Sequence, residues 1–325
     1  MRGSAFNDTR PLLSLAGLAP AEIAHLGDLA SRYGRDPGEL AGALDGARVG
    51  LIFTAPSTRT RASFWSAATT LGCAVLSIGP ADLQVNTGET WSDTGMVLAN
   101  YLDALVVRTN GPQRELEELS AQLPATVNAV TYEEHPTQAI ADLSALRDHF
   151  GSAEGLRVAY LGQVNNTARA LTLLACKTPG MTIDLYSPAG LGYTDPDVQR
   201  LNQLADRAAV RQFAEPPATP DPVDAVYTTR WQAMGVAHEP GWLDQFEPFA
   251  VTKETMARFS GDSEAVFMHD LPAIREQEAT SEVIDGPLSL VSRQAYHKAS
   301  AAAAALIWVL RPGARDSDRP LQTQL

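Results

Sequence analysis

The chain has 325 residues, 45% hydrophobic and 19% charged, with 25 Lys and Arg against 38 Asp and Glu and a formal net charge of −13 at pH 7. That length suits two domains of ordinary size with substantial cores, and the acidity argues against a nucleic-acid partner, whose affinity comes mainly from neutralised phosphates. The longest apolar run, Ala299–Leu310, is rich in alanine and too short for a membrane span, and the N-terminal MRGSAFNDTR lacks the apolar stretch of a signal peptide. Two widely separated cysteines, Cys73 and Cys176, read as free thiols in a reducing cytoplasm.

In chain order, β-branched runs predict strands at 48–53 (RVGLIF), 74–78 (AVLSI), 104–108 (ALVVR) and 127–131 (VNAVT). Helical patterns fall between them at 59–71, 89–102 and 113–122. The stretch 136–150 carries Ile140, Leu143, Leu146 and Phe150 at helical spacing and reads as a linking helix. A second series of strands follows at 157–161, 182–186, 224–228 and 265–268, with helices at 167–177 and 196–206. Strand and helix alternating twice over predict an α/β chain of two domains, each a parallel sheet with helices on both faces, joined by helices. A last helix, about 293–310, is expected to pack back on the first domain, and 313–325 reads as a frayed tail. The division predicted is therefore 1–135 plus 293–312 for the first domain and 151–292 for the second.

The segment FTAPSTRTRASF, 53–64, ends a strand, turns at Pro56 and starts a helix near Ser57. A helix start has unpaired N–H groups and the positive end of the dipole, so it favours an anion. The hydroxyls of Ser57, Thr58 and Thr60 add donors, and arginine offers a fork that matches phosphate. Taken alone, the string also fits a capped helix with solvated arginines. It has company: Arg108 ends one strand, His135-Pro136-Thr137-Gln138 follows the next, and Met268-His269-Asp270-Leu271-Pro272 ends another. Ligands of parallel sheets bind at such strand ends.

These motifs, S-T-R-T-R and H-P-T-Q in that order above all, resemble the aspartate/ornithine carbamoyltransferase family over about residues 10–310. The resemblance implies that Ser57, Thr58, Arg59 and Thr60 hold the phosphate of carbamoyl phosphate. It also implies that Arg108, His135 and Gln138 grip the carbamoyl group, with Arg59, Arg108 and His135 as the catalytic residues. No metal or organic cofactor is expected. The segment 79–94 is similar to the family's mobile loop, which reaches a neighbouring subunit and implies a homotrimer with shared sites. Asn86-Thr87-Gly88 stands there, with none of the lysine found in the aspartate enzymes, and Trp91 reads either as a ligand contact or as core.

The second-substrate side departs from both branches. Gly162-Gln163-Val164-Asn165-Asn166 resembles the ornithine enzymes' turn and implies an acceptor contact at Asn166, while Arg169 is either a carboxylate contact or a solvated arginine. Around Thr229, Arg230, Gln232 and Met234 the chain mixes the ornithine branch's W-x-x-M-G frame with the aspartate branch's T-R-x-Q. The ornithine enzymes' acidic residue is Thr229 here, and Asp270, next to Leu271, takes the position of their cysteine, so a carboxylate exchanged between these positions is expected to hold an ammonium group. Lys298 stands where the family has an arginine near carbamoyl phosphate. The resulting expectation is carbamoyl transfer to a diamino acid or a diaminopropionyl residue, as in peptide-antibiotic biosynthesis. The alternatives are an ornithine carbamoyltransferase of arginine metabolism and a non-catalytic phosphate-binding paralogue.

Overall fold

The computed structural model describes residues 9–109, 111–232 and 238–311. The first unit opens with α1 (Pro20–Arg35), then β1 (Arg48–Phe53), α2 (Arg59–Thr70), β2 (Ala74–Ile78), α3 (Trp91–Leu98), β3 (Ala104–Arg108), α4 (Gln113–Ser120) and β4 (Thr126–Val130). Its sheet is fully parallel in the order β2-β1-β3-β4. The helix α5 (Pro136–Phe150) leads into β5 (Arg157–Leu161), α6 (Asn166–Lys177), β6 (Thr182–Tyr186), α7 (Asp195–Ala205), β7 (Val210–Phe213) and β8 (Ala225–Thr228). After α8 (Lys253–Phe259) come β9 (Val266–His269), α9 (Ser281–Ile284) and α10 (Val291–Leu310). The second sheet is also parallel, in the order β7-β6-β5-β8-β9.

Each order reverses direction beside its first strand, between β1 and β3 and between β5 and β8, and the crevice outside a parallel sheet at such a switch point is where ligands bind. The inner strands are buried on both faces, as parallel strands between helices must be, while the edge strands β2 and β7 are largely exposed. The helix α1, absent from the sequence expectations, starts with Pro20 at its first turn and Glu22 reaching back to the Ala19 N–H at 2.9 Å. It buries Ile23, Leu26, Leu29, Ala30 and Tyr33 on one face.

The closing helix α10 packs against α1, α2 and α5. Its alanine run, Ala301–Ala305, is buried, and small side chains there let these helices approach closely. Ser144 of α5 and His297 of α10 share a 2.9 Å hydrogen bond. Helix α5 also packs on α6, so α5 and α10 hold the two sheets in a fixed relation. Among the described residues no helix is long and apolar enough to cross a membrane. The loop before α3 forms two short 3-10 turns, Pro80–Asp82 and Gln84–Thr87, and ends on Gly88 at φ 107°. Trp91 packs against the main core.

Candidate active site

Residues from the ends of β1, β3 and β4 meet residues from the ends of β5, β8 and β9. After β1 the chain turns through Pro56, and the helix N-cap is Thr58, one residue later than the sequence suggested. Arg59 and Thr60 sit in the first turn of α2. The Arg108 backbone is fixed to the β1 exit, its carbonyl accepting the Thr54 N–H at 3.0 Å. Its guanidinium turns toward the same helix start and donates to Thr60 Oγ1 at 3.3 Å. His135 is the N-cap of α5, at φ −124° and ψ 70°, with Pro136 at the first helical position. Gln138 lies one turn on, buried, and its Oε1 accepts from Lys298 of α10.

Positive charge is therefore gathered in a protein of net charge −13. Arg59 and Arg108 both titrate below the usual arginine range because they are withdrawn from water, and for Arg108 the neighbouring Arg59 adds to it. Burial pulls Lys298 down to about 8, with Asp270 and Asp142 opposing and Arg59 and Arg108 assisting. His135 is held well below its ordinary value, first by burial and then by Lys298, Arg108 and Arg59. It is a neutral imidazole at pH 7, able to donate one N–H without carrying charge. A cavity of about 470 Å³ adjoins Thr58 and Arg59, walled by Tyr33, Ser63, Ala295 and Tyr296.

The second sheet supplies the opposite wall. Gly162 has φ 135°, and a Cβ there would meet the Trp231 ring at 3.2 Å, so only glycine fits this turn. Asn165 caps α6 by accepting from Thr167 N and Ala168 N, each at 3.0 Å. Asn166 crosses to the first unit, donating to the Thr131 carbonyl at 2.9 Å. Asp270 follows β9 with its side chain 16% exposed, and one oxygen accepts the Thr167 hydroxyl at 2.8 Å. Leu271 has φ 57°, and its N–H donates to His269 Nδ1 at 2.8 Å. The pull of Asp270 reaches Arg59, Arg108 and Lys298, so it lies within electrostatic range of the cationic group.

Thr229 is placed otherwise. It is buried, accepting from Asn165 Nδ2 at 2.8 Å and sharing a 3.0 Å hydrogen bond with the Tyr160 hydroxyl. Arg230 Nε donates to the Gln232 carbonyl at 3.0 Å. Met234 lies outside the described residues. Arg169 stands on α6 with its buried Nε unbonded. Sequence reasoning passed over Asp142, a fully buried carboxylate one turn beyond Gln138. Its signal was a lone acid on the apolar side of a linking helix.

The comparisons agree with this architecture. Residues 10–148 match the family model described as aspartate/ornithine carbamoyltransferase, carbamoyl-P binding domain, and 154–309 match its Asp/Orn binding domain. The chain is 36% identical over 307 residues to an ornithine carbamoyltransferase of Synechococcus, covering 93% of this chain and 97% of that one. It is 38% identical over 301 residues to one from Gloeobacter violaceus, covering 91% and 94%. Among solved structures, the ornithine carbamoyltransferase from Pyrococcus furiosus superposes with a TM-score of 0.85 at 30% identity, covering 93% of this chain and 97% of that one.

Proposed function

The chain belongs to the aspartate/ornithine carbamoyltransferase family, and we propose that it moves the carbamoyl group of carbamoyl phosphate to an amino group of a diamino acid, giving a ureido product and phosphate. The observation that carries this reading is the convergence of Arg59, Arg108, His135 and Lys298 at one sheet's switch point, facing Asn166 and Asp270 from the other. Ser57, Thr58, Arg59 and Thr60 hold the phosphate at the start of α2. Arg108 and neutral His135 donate to the carbamoyl oxygen, where negative charge grows as the amine attacks, and donors fixed at that point lower the barrier. Gln138 reads the carbamoyl amide. Both reactants sit across one crevice, which removes the entropy of bringing them together.

The relatives are named for ornithine, which favours ornithine as acceptor over the diaminopropionyl residue and antibiotic setting that the sequence reading put first. One observation keeps the second reading: the acidic group faces the site from Asp270 and not from position 229, whose hydroxyl is occupied by Asn165 and Tyr160. The test is isotopically labelled carbamoyl phosphate with ornithine, aspartate, putrescine, lysine, 2,3-diaminopropionate and peptides containing it, read for a ureido product by mass spectrometry. Product with ornithine alone supports the acceptor named by the relatives. Product with 2,3-diaminopropionate or its peptides supports the second reading, and binding without product from any amine overturns both.

Lys298 gives this reading a pH signature. Its ammonium attracts the phosphate while protonated, and its pKa of about 8 in the free protein means that charge is lost as pH rises through that value. The dissociation constant of carbamoyl phosphate is therefore expected to rise by roughly tenfold between pH 7 and 9, since bound anion and proton stabilise each other. Lys298→Arg, which stays charged throughout, is expected to flatten the profile. Calorimetric titration at several pH values checks both, and an unchanged slope in the variant assigns the effect to another group.

A trimer belongs to the same proposal. Trp65 is 58% exposed, Leu76 52%, Met96 54% and Tyr101 62%, all on or next to α2, the edge strand β2 and α3. Large apolar side chains on an uncovered sheet edge mark an association surface. Light scattering is expected to give three times the chain mass, and Trp65→Glu to shift it to monomer with loss of activity. A wild-type monomer with full activity would remove the shared-site reading.

A further inference from the structure

We propose that Asp142 is a positioning residue serving both substrates at once: it aims Gln138 at the carbamoyl group and, through Gln294, holds the backbone that presents Asp270. The inference rests on the proposed carbamoyl transfer and adds a residue outside the substrate-contacting set.

The geometry is a chain of hydrogen bonds with one possible polarity. Asp142 Oδ1 accepts from Gln138 Nε2 at 2.8 Å and from Gln294 Nε2 at 2.9 Å, and Oδ2 accepts the Tyr227 hydroxyl at 3.1 Å. An ionised carboxylate can only accept, so both glutamines must turn their NH₂ groups toward it. The carbonyl of Gln138 then faces Lys298, whose ammonium can only donate. The carbonyl of Gln294 faces the His269 backbone N–H at 2.8 Å, again a donor that cannot reverse. One buried acid thus sets two amide orientations, and neither glutamine can flip without placing donor against donor.

What the two arms hold differs. Gln138 lies one helical turn from His135, and with its NH₂ committed to Asp142 it offers an acceptor oxygen, the group a carbamoyl NH₂ requires. Gln294 fixes the residue immediately before Asp270. All four side chains, Asp142, Gln138, Gln294 and Tyr227, are buried, where a mispaired donor costs far more than at the surface. Burial raises Asp142 to about 6, while the hydrogen bonds from Gln294 and Gln138 oppose that rise, so the ionised form prevails at neutral pH. The hub joins α5 and α10 to β8 and β9, spanning both sides of the crevice.

The test separates the arms in steady-state kinetics of the full chain, with inorganic phosphate and carbamoyl phosphate as donor-side probes and the acceptor identified by the panel. Gln138→Ala is expected to raise the KM of carbamoyl phosphate about tenfold with little change in the acceptor KM, and Gln294→Leu the reverse. Asp142→Leu is expected to raise both, and to add nothing on the donor side when combined with Gln138→Ala, because the two act through one contact. Asp142→Asn retains an acceptor oxygen for both amides and a Tyr227 partner, and is expected to recover most of the activity. Should Asp142→Leu not fold, Asp142→Glu, which displaces the same charge by one methylene, carries the same expectation. Asp142→Leu with both KM values within twofold of the parent, or donor losses that add with Gln138→Ala, overturns the proposal while leaving the transferase reading intact. Inactive parent protein would instead overturn that reading.

Discussion

Arg108→Ala is expected to lower kcat by two to three orders of magnitude while the protein remains folded. The guanidinium is withdrawn from water beside Arg59, its Nε is buried without a hydrogen-bond partner, and its one described side-chain hydrogen bond is a 3.3 Å contact to Thr60. A cation so placed is poorly satisfied by the protein itself. Its removal relieves repulsion among Arg59, Lys298 and Arg108, so the melting temperature is expected to stay level or rise. That is the usual relation where function keeps a strained charge. In the proposed transfer the same group donates to the oxygen that gains charge in the transition state, and loss of one such donor costs about 3–4 kcal/mol. Steady-state rates and thermal melts on the same preparation check the pair of expectations. A variant within tenfold of the parent kcat would take Arg108 off the carbamoyl oxygen. A variant that loses activity together with several degrees of stability would make it a structural cation.

Much of the fold was legible because the inner parallel strands, buried on both faces, read as short apolar runs. The runs at 48–53, 74–78, 104–108, 157–161 and 182–186 agree with the observed strands residue for residue, that at 224–228 is one residue too long at its start, and those at 127–131 and 265–268 are shifted by one residue. The edge strand β7 was missed because Arg211 and Gln212 interrupt its short apolar run, whereas the equally exposed edge strand β2 keeps the apolar string AVLSI. Helix α1 was readable from Pro20, Glu22 and the spacing of Ile23, Leu26 and Ala30, yet it precedes the first strand and fell outside the alternation that guided the reading. At the site, the S-T-R-T-R and H-P-T-Q strings were legible because each gathers its polar groups within a few consecutive residues at a helix start. The hub at Asp142 was not legible, since Tyr227 and Gln294 lie 85 and 152 residues from it, and tertiary packing alone, that of α10 on α5 in the case of Gln294, brings them together. Thr229 shows the same limit from the other side. Its neighbours in sequence marked it as an acceptor contact, while Tyr160 and Asn165, set by the register of β5 against β8, take up its hydroxyl.

Asp270→Asn is expected to raise the acceptor KM by roughly 30- to 100-fold, a loss of about 2–3 kcal/mol, the range for hydrogen bonds to a charged partner. Two roles are open to this carboxylate, and they predict different changes on the acceptor side. As a counter-ion it would merely balance Arg59, Arg108 and Lys298, whose charges all feel it. Removing it would then strengthen carbamoyl phosphate binding, because a bound phosphate no longer meets a like charge, and would leave the acceptor untouched. As the ammonium-holding group it must lose the acceptor while donor affinity holds or improves. The geometry favours the second role. Thr167 satisfies one oxygen at 2.8 Å, and no salt bridge closer than 4.0 Å ties Asp270 to any of the three cations among the described residues. A carboxylate meant only to neutralise Arg59 would gain most by a bidentate contact, and this one instead stands off at the crevice wall, anchored to the start of α6. Separate titrations of carbamoyl phosphate binding and acceptor KM in the variant decide the matter: an unchanged acceptor KM with a tightened donor makes Asp270 a counter-ion and returns the acceptor's ammonium to another residue.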